Sequence, residues 1–300
     1  MGIPAFRRLP IISGWTARRV LEAGDGALAV SLDLGRSRCE VAVRSGALAL
    51  PDGQAVPCEA LADAFSDPAD CLTIEGGKCR KVYHFSPSLR RYYKLYQPFE
   101  DRAPTIVING ATMHAIVGKD PWQDEAEKVE ALPRAAGRCL DTCAGLGYSA
   151  QLLADAGYEA VTTCEADPNV LSVAAVNPWS EGLFVRPQLT IVNEDVREVL
   201  ARTPDGGFAC VFHDPPTVFQ AGELYSTELY AEFARVLSVG GMLYHYVGEP
   251  GRRSGRDYAR GVMRRLQAVG FARVRRAPGG VIAQKRRGGA TAAGSPPAGY

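Results

Sequence analysis

A strand–turn–helix pattern at residues 138–149 determines how the rest of the chain is interpreted. Its sequence, RCLDTCAGLGYS, contains an apolar strand end, an acid at Asp141, and a tight turn with Gly145 and Gly147. This order is typical of the first βα turn of a nucleotide-binding α/β domain. It predicts that ligands bind beyond the carboxyl ends of the strands of an open parallel sheet.

The residues after Gly137 alternate between strand-like and helix-like patterns, which predicts a parallel sheet. Asp167-Pro168 and Ser226 are suited to begin helices, and Gly240-Gly241 is suited to end one. Pro278-Gly279-Gly280 predicts a final hairpin. The expected strands are one ending at Asp141, Ala160–Cys164, Leu189–Val192, Phe208–Phe212, Met242–Val247, Phe271–Arg276 and Val281–Arg286.

The first 120 residues have a different pattern, in which short β-like runs are separated by turn signals such as Pro51-Asp52-Gly53. A polar, helix-forming stretch around residues 119–132 leads into the second part. We therefore expect a β-rich domain over residues 1–120, an α/β domain over 121–287, and a disordered low-complexity tail over 288–300. The β-like runs are Ala27–Leu32, Cys39–Arg44, Lys81–Phe85 and Pro104–Ile108.

Composition narrows the class of protein. Of the 300 residues, 46% are hydrophobic and 22% charged, with a formal net charge of +1, as in an ordinary globular protein. No apolar run approaches about 18 residues, so no membrane association is expected. The beginning of the chain is a poor signal peptide. The eight cysteines form no CxxC pair, which argues against a zinc site, and together these features predict a reducing, cytoplasmic location.

Polar residues follow four of the expected strands, where a ligand of a parallel sheet would lie. Gly145 and Gly147 let the backbone approach a ligand closely. Glu165 stands about 20 residues further on, where an acid can accept both ribose hydroxyls. Asp195 can accept from an adenine amino group, and Asp214-Pro215-Pro216 ends the fourth strand.

The turn predicts a cationic ligand without phosphate. A dinucleotide site would have GxGxxG, but Cys143 and Ala150 stand at the first and third glycine positions. Asp141 would also repel a diphosphate at the place where it normally binds. S-adenosylmethionine, with its sulfonium, ammonium and ribose, satisfies these conditions. A dinucleotide-dependent oxidoreductase and a non-catalytic binding module remain the alternatives.

Residues 137–286 resemble the class I S-adenosylmethionine-dependent methyltransferases. LDTCAGLGYS is similar to their first motif, in the D-x-x-A-G-x-G form found in enzymes that act on RNA bases. The resemblance implies a Rossmann-like, mostly parallel seven-stranded sheet with an antiparallel last strand, so that 121–287 is the methyltransferase domain. It also implies cofactor contacts from Asp141, Cys143, Ala144, Gly145, Gly147, Glu165, Ala166, Asp195, Val196 and Asp214.

A second resemblance is to the spermidine synthases. Leu224–Leu243 is similar to the helix and strand that follow their catalytic loop, and Ile108–His114 to a strand leading from their β-rich N-terminal domain. Their D-x-x-D-P signature is not kept, because Val211 stands in place of the first acid. The resemblance therefore implies their architecture, with an aminopropyltransferase acting on a polyamine as the alternative function. A poorly characterised group of methyltransferases resembles this chain in combining these features.

The acceptor is expected to be an amino group of an RNA base. The Asp214 carboxylate and the Pro215 carbonyl can accept its hydrogen bonds and turn its lone pair toward the methyl group. The resemblance implies an aromatic residue after the two prolines, but Thr217 stands there. Phe219 or Tyr225 is the candidate replacement. Together with Pro215 and Pro216 they form the expected substrate-binding set.

Three histidines and two cysteines are further candidates for chemistry. His213 is expected in catalysis, alone or with His245 and His114 as a general base or metal site; the alternative is that each histidine bonds nearby backbone. Cys210 is the nearest thiol for carbon methylation, although a core position is expected for it. Cys143 is interpreted as a turn residue touching cofactor rather than a reactive thiol.

Two basic stretches are candidate RNA-binding surfaces, with ordinary solvated surface as the alternative. One mixes charges with aromatic residues over residues 90–94. A second copy of the chain, which would form a homodimer, is a further candidate partner. The other basic stretch follows the fifth strand. The arginines of that second stretch are Arg252, Arg253, Arg256, Arg260, Arg264 and Arg265.

Overall fold

The computed structural model describes residues 2–133, 136–248 and 257–286. The predicted tail at 288–300 and three of the basic residues, Arg252, Arg253 and Arg256, lie outside these ranges. Among the described helices, none has the length and apolar character needed to cross a bilayer.

The N-terminal half is built from short antiparallel strands, which confirms its predicted β-rich character. They form three sheets with the orders β1-β6-β7, β2-β3-β4-β5 and β11-β10-β9-β8. The elements are β1 (Ile11–Ser13), α1 (Gly14–Ala23), β2 (Gly26–Val30), β3 (Cys39–Arg44), β4 (Ala47–Ala49), β5 (Ala55–Pro57), α2 (Cys58–Asp63), β6 (Cys71–Glu75), β7 (Lys78–Lys81), β8 (Tyr83–Ser86), β9 (Arg91–Tyr96), β10 (Thr105–Ile108) and β11 (Ala111–Thr112).

The C-terminal half alternates strands and helices after α3. Two 3₁₀ turns, Pro178–Ser180 and Gly222–Tyr225, interrupt this alternation. The elements are α3 (Pro121–Glu130), β12 (Arg138–Asp141), α4 (Tyr148–Asp155), β13 (Ala160–Cys164), α5 (Pro168–Ala174), α6 (Glu181–Val185), β14 (Leu189–Val192), α7 (Val196–Arg202), β15 (Phe208–His213), α8 (Thr227–Val236), β16 (Leu237–Tyr246), α9 (Tyr258–Ala268), β17 (Phe271–Ala277) and β18 (Gly280–Lys285).

The C-terminal strands form one seven-stranded sheet with the order β14-β13-β12-β15-β16-β18-β17. The strands from β14 to β16 pair in parallel, whereas β18 is antiparallel to both neighbours. This confirms the predicted sheet and its antiparallel last strand. The chain reverses its direction of travel across the sheet between β12 and β15, so a crevice is expected at the carboxyl ends of these two strands.

Local sequence explains where the helices of this half begin. Asp120 forms a capping box with Gln123 at the start of α3, where Pro121 is the first helical residue. The side chain of Asp167 caps α5 and that of Ser226 caps α8, as predicted. The prediction that Gly240-Gly241 ends a helix was wrong. The helix ends at Val236 and β16 begins at Leu237, so the glycine pair lies inside the strand, where its register with β15 shifts.

One hydrophobic cluster contains buried side chains from both halves of the chain. Ile11, Tyr93 and Ile106 share it with Leu153 and Ile282. The predicted boundary at residues 120/121 stays a prediction, but the two halves have a common core. The opposite face of the sheet is covered by a second cluster that includes the buried face of α8.

Candidate active site

The turn after β12 is held between the two neighbouring strands. The Thr142 amide donates to the Phe212 carbonyl of β15, and the Ala144 amide donates to the Cys164 carbonyl of β13 at 2.7 Å. Gly145 and Gly147 have φ values of +54° and +74°, a region that favours glycine. A Cβ on Gly147 would lie 2.5 Å from a Leu183 methyl carbon, whereas one on Gly145 would meet nothing within 4 Å. Gly145 therefore borders an open space at the end of β12.

Glu165 lies beside this turn, at the end of β13. Its two carboxylate oxygens accept hydrogen bonds from the backbone amides of Gly145, at 3.0 Å, and Asp167, at 2.9 Å. Burial raises the pKa of Glu165 to about 7, and these two hydrogen bonds oppose that rise. The next residue, Ala166, is exposed. The amide of Asn193, which the sequence analysis did not single out, fixes this strand end by donating to the Glu165 carbonyl at 2.6 Å.

Asp141 is fully buried under the turn. Its Oδ2 accepts hydrogen bonds from Thr163, at 2.7 Å, and from Ser149, at 3.0 Å. Its Oδ1 has no hydrogen-bond partner among the described residues. Burial raises the pKa of Asp141 to about 6. A buried carboxylate oxygen without a donor is costly, and a donor on a ligand would remove that cost.

Asp195 is positioned by a local ion pair. It is the N-cap of α7, and its carboxylate binds Arg197 at 2.6 Å and 3.0 Å. These hydrogen bonds hold the pKa of Asp195 below its usual value. The neighbouring Val196 is buried in the hydrophobic cluster on the α8 face of the sheet. Contact between Asp195 and a nucleoside would require this carboxylate to bind Arg197 and the ligand together.

Asp214 belongs to a buried ionic cluster that the sequence analysis missed. Its Oδ2 lies 2.8 Å from Nζ of Lys128 on α3, and that lysine is 3% exposed. The same Nζ lies 2.6 Å from Glu125 and 3.0 Å from Asp124. The spacing of residues 124, 125 and 128 on one helix was the available signal, because residues three and four apart share a helical face.

The ionic cluster holds more negative than positive charge. Three carboxylates surround the single Lys128 ammonium, and Lys119 binds Asp124 from the outer side at 3.1 Å. The three acids hold the pKa of Lys128 well above its usual value. Burial raises the pKa of Asp214 to about 7, while Lys128 acts in the opposite direction. The Oε2 atom of Glu125 is buried without a hydrogen-bond partner. The cluster is therefore suited to a cationic or hydrogen-bond-donating ligand.

Aromatic rings surround Asp214. The Lys128 ammonium lies 4.7 Å from the centre of the Tyr246 ring, and Tyr244 stacks on Phe212 at 4.7 Å. Tyr225 donates a hydrogen bond to the Pro216 carbonyl at 3.0 Å, so it braces the Asp214-Pro215-Pro216 turn. Phe219 is 75% exposed. Of the two predicted substrate-binding aromatics, Tyr225 contacts the turn and Phe219 lies on the surface.

The side chains of His213, His245 and His114 form hydrogen bonds with other residues rather than with one another. His213 is fully buried; its Nε2 donates to the Leu224 carbonyl at 2.8 Å and its Nδ1 accepts from the Thr142 hydroxyl at 2.6 Å. Burial lowers the pKa of His213 to about 4, so the ring is neutral. His245 binds the Tyr230 hydroxyl and His114 binds that of Thr105. Both nitrogens of His213 thus have protein partners, and the catalytic role expected for it from sequence stays a prediction.

The thiols near the site have structural surroundings. Cys210 is fully buried in the shared hydrophobic cluster. Cys143 is half-buried at the turn, and burial raises the pKa of its thiol well above its usual value, which favours the protonated form. Among residues 2–133, 136–248 and 257–286, no group of three His, Cys, Asp or Glu side chains is arranged to hold a metal ion.

Comparison with known proteins finds a relative that matches nearly the whole chain and others that match only part of it. No protein-family model matches. The uncharacterized protein MJ1233 of Methanocaldococcus jannaschii is 38% identical over 284 residues, which cover 92% of this chain and 96% of that protein. The polyamine aminopropyltransferase of Mycobacterium tuberculosis is 34% identical over 106 residues, which cover 33% of this chain and only 20% of that relative.

The fold has a solved counterpart. A spermidine synthase structure, determined in complex with the transition-state analogue AdoDATO, superposes with a TM-score of 0.52 at 16% identity, over 69% of this chain and 73% of that one. At this identity the likeness concerns the fold. The chain thus belongs to the family of the M. jannaschii protein MJ1233, and its fold is similar to that of spermidine synthase.

Proposed function

We propose that this protein transfers the methyl group of S-adenosylmethionine to an amino group. The observation that carries the proposal is the position of Asp214, which ends β15 beside the glycine turn of β12 and belongs to a buried, acid-rich cluster. A sulfonium donor at the turn and an amine at Asp214 would be neighbours across the crevice between these strands.

The residues at the turn fit the donor. The space beside Gly145 admits a ligand against the backbone, and the ribose hydroxyls would bind the carboxylate of Glu165. The partnerless Oδ1 of Asp141 would accept from the ammonium group of the methionine part. Asp195 would accept from the adenine amino group while keeping Arg197. Cys143, Ala144 and Gly147 would contribute the backbone of the turn, with Ala166 and Val196 beside the nucleoside.

The acceptor side supplies hydrogen-bond acceptors. The Asp214 carboxylate and the Pro215 carbonyl would accept from the two N–H bonds of an amino group, which directs its lone pair at the methyl carbon. In the transfer a nitrogen–carbon bond forms and the carbon–sulfur bond breaks, with the electron pair left on sulfur. The excess proton on nitrogen then passes to Asp214 or to water. Alignment and exclusion of water provide the catalysis.

We infer that the acceptor amine belongs to an RNA base. The D-x-x-A-G-x-G form of the first motif and the Asp-Pro-Pro turn support this class. Tyr246, which is partly exposed beside Lys128, provides a ring on which a planar base can pack, and the buried Tyr225 would support the turn beneath that base. Pro216 and the exposed Phe219 would contact the nucleotide around the modified base.

A polyamine acceptor is the second candidate, with aminopropyl transfer as the reaction. The buried Oε2 of Glu125, without a hydrogen-bond partner, favours it, since a second acid beside Asp214 suits a second ammonium group. Against it, the first acid of the D-x-x-D-P signature is replaced by Val211, an apolar residue that is fully buried in the second hydrophobic cluster.

Product analysis separates the two reactions. We would incubate the protein with S-adenosylmethionine and RNA, and separately with decarboxylated S-adenosylmethionine and putrescine. We expect S-adenosylhomocysteine and a methylated nucleoside in the first reaction, and no methylthioadenosine in the second. The converse result would replace methyl transfer by aminopropyl transfer.

The matched variants are Asp214→Asn and Asp205→Asn, since Asp205 is an exposed acid far from the turn. We expect Asp214→Asn to reduce kcat by about 100-fold or more while donor binding, measured by calorimetry, is kept. Asp205→Asn should behave as the wild type. Unchanged turnover in Asp214→Asn would contradict the proposal.

A further inference from the structure

The β8–β9 hairpin carries exposed aromatic rings on its outer face. Tyr83, Phe85 and Tyr92 are 52%, 40% and 47% exposed. Phe85 pairs directly with Tyr92 across the two strands, at 4.5 Å between ring centres, and Tyr83 stacks on the same tyrosine at 5.7 Å. The three rings therefore form one continuous aromatic surface, which we call the ring platform.

Exposed apolar side chains are concentrated on this hairpin. Of the ten large apolar side chains exposed on the described residues, four lie within it, namely the ring platform and Leu89. Rings that pack on one another and remain open to solvent offer flat faces to a ligand. This arrangement distinguishes the hairpin from singly scattered surface residues.

The hairpin and β7, the strand that precedes it in the chain, are strongly basic. Residues 76–99 contain six lysines and arginines and no aspartate or glutamate, in a chain whose net charge is +1. Lys81 and Lys94 bind the buried Asp70. The exposed Lys78, Arg80 and Arg90 form no salt bridge with any described residue. A polyanion that also presents flat apolar faces would complement both features.

The inner face of the hairpin is joined to the candidate donor site. The Tyr93 hydroxyl donates to the carboxylate of Asp167, whose backbone amide donates to Glu165. His84 lies 2.7 Å from the side chain of Asn169 on α5. Arg91 is 51% exposed and reaches Asp167 at 3.6 Å, so it lies where the basic surface meets the loop that carries Glu165.

We propose that the ring platform, with its unpaired basic neighbours, binds single-stranded RNA. Unpaired bases stack on the rings, and Lys78, Arg80 and Arg90 bind phosphates. A second copy of the chain is disfavoured as the occupant, because a symmetric contact would bring two basic faces together. The inference rests on the proposed function, in which RNA is the methyl acceptor. Binding of RNA to the ring platform does not itself require S-adenosylmethionine, the methyl donor.

The test measures RNA binding without donor. We would follow fluorescence anisotropy of a labelled single strand of about 15 nucleotides and of its duplex. Tyr92→Ala should weaken binding of the single strand about 5- to 150-fold, the range for loss of one stacked base. The duplex should bind more weakly than the single strand and respond less to Tyr92→Ala. Affinity should also fall steeply with salt.

The charge test uses matched variants. Arg80→Glu with Arg90→Glu should weaken binding, whereas Arg18→Glu with Arg44→Glu, the same change at exposed arginines of α1 and β3, should not. Donor binding and far-ultraviolet circular dichroism establish that each variant is folded. Failure of the wild type to bind RNA, or equal binding by Tyr92→Ala, would overturn the proposal. So would loss of self-association in Tyr92→Ala with RNA affinity unchanged.

The two proposals fail in distinguishable ways. If RNA binds through the ring platform but is not methylated, RNA is not the acceptor, and the proposal that the ring platform binds RNA is supported. If RNA is methylated but binds equally well without the ring platform, RNA is the acceptor, and the proposal that the ring platform binds RNA is overturned.

Discussion

Lys128 illustrates how one side chain sets the state of another. Asp214 has its pKa raised to about 7 by burial, and the Lys128 ammonium at 2.8 Å is the largest effect that lowers it. In the proposed transfer the excess proton of the amino group passes to Asp214 or to water, and only the ionised carboxylate can take up that proton. Methyl transfer should therefore rise with pH through about 7, as Asp214 loses its proton.

Removal of Lys128 should move this profile to higher pH. In Lys128→Met the carboxylate loses its cation, so its pKa rises, and activity on the acidic side of the profile falls by about tenfold if that pKa increases by about one. The measurement is kcat/KM against pH. Lys128→Arg keeps the positive charge, so its pH profile should lie close to that of the wild type. Lys119 does not contact Asp214, so Lys119→Met should leave the pH profile unchanged. An unchanged profile in Lys128→Met would show that Asp214 is not the titrating group.

The two glycines of the turn should respond differently to alanine. Gly145→Ala adds a methyl group in open space, so the fold should survive with a loss of about 1–2 kcal/mol from its left-handed backbone while donor binding is lost. Gly147→Ala has the same backbone cost and also collides with Leu183, so its loss of stability should be larger. Thermal melts and donor calorimetry check both. Equal stability of the two variants, or normal donor binding by Gly145→Ala, would contradict this.

At the scale of elements, a buried hydroxyl is one of the anchors of the hairpin. Tyr93→Phe removes the hydrogen bond to Asp167, and the loss of a hydrogen bond to a charged group should lower the free energy of unfolding by about 1.5–3 kcal/mol. Urea unfolding measures the change. Tyr83→Phe, on the exposed outer face, should change it by less than about 0.5 kcal/mol. Similar values for both would mean that the hydroxyl does not anchor the hairpin.

The elements of the sheet could be predicted from sequence because their signals are local. The alternation after Gly137 and the caps at Asp167 and Ser226 gave the strands and helix starts. The end of α8 was missed, because the glycine pair at residues 240–241 permits a strand irregularity as readily as a helix end. The helix-forming composition of residues 119–132 identified α3 as a helix but not as part of the site. Its Lys128 meets Asp214 across 86 residues of sequence, and only the fold brings them together.

At the scale of the whole molecule, buried acids make stability depend on pH. The pKa values of Asp141, Glu165 and Asp214 are raised to about 6, 7 and 7 in the folded protein. Above pH 6.5 the unfolded chain has these groups ionised, while the folded protein still binds protons. The free energy of unfolding should therefore fall as pH rises from about 6.5 to 8.

Urea unfolding of the unliganded protein at several pH values checks this expectation. Asp214→Asn removes one of the three groups and should reduce the slope, whereas Asp205→Asn, at an exposed site, should not. A rise in stability over the same interval would contradict the prediction.

The common core of the two halves limits how ligands can enter. Since Ile11, Tyr93 and Ile106 are buried against Leu153 and Ile282, swinging one half away from the other would expose apolar surface along the whole seam. Rotation about that seam is therefore disfavoured as a way of opening the crevice. We expect donor and acceptor to enter while the two halves stay packed together, so that acceptors are selected by how well they fit the crevice.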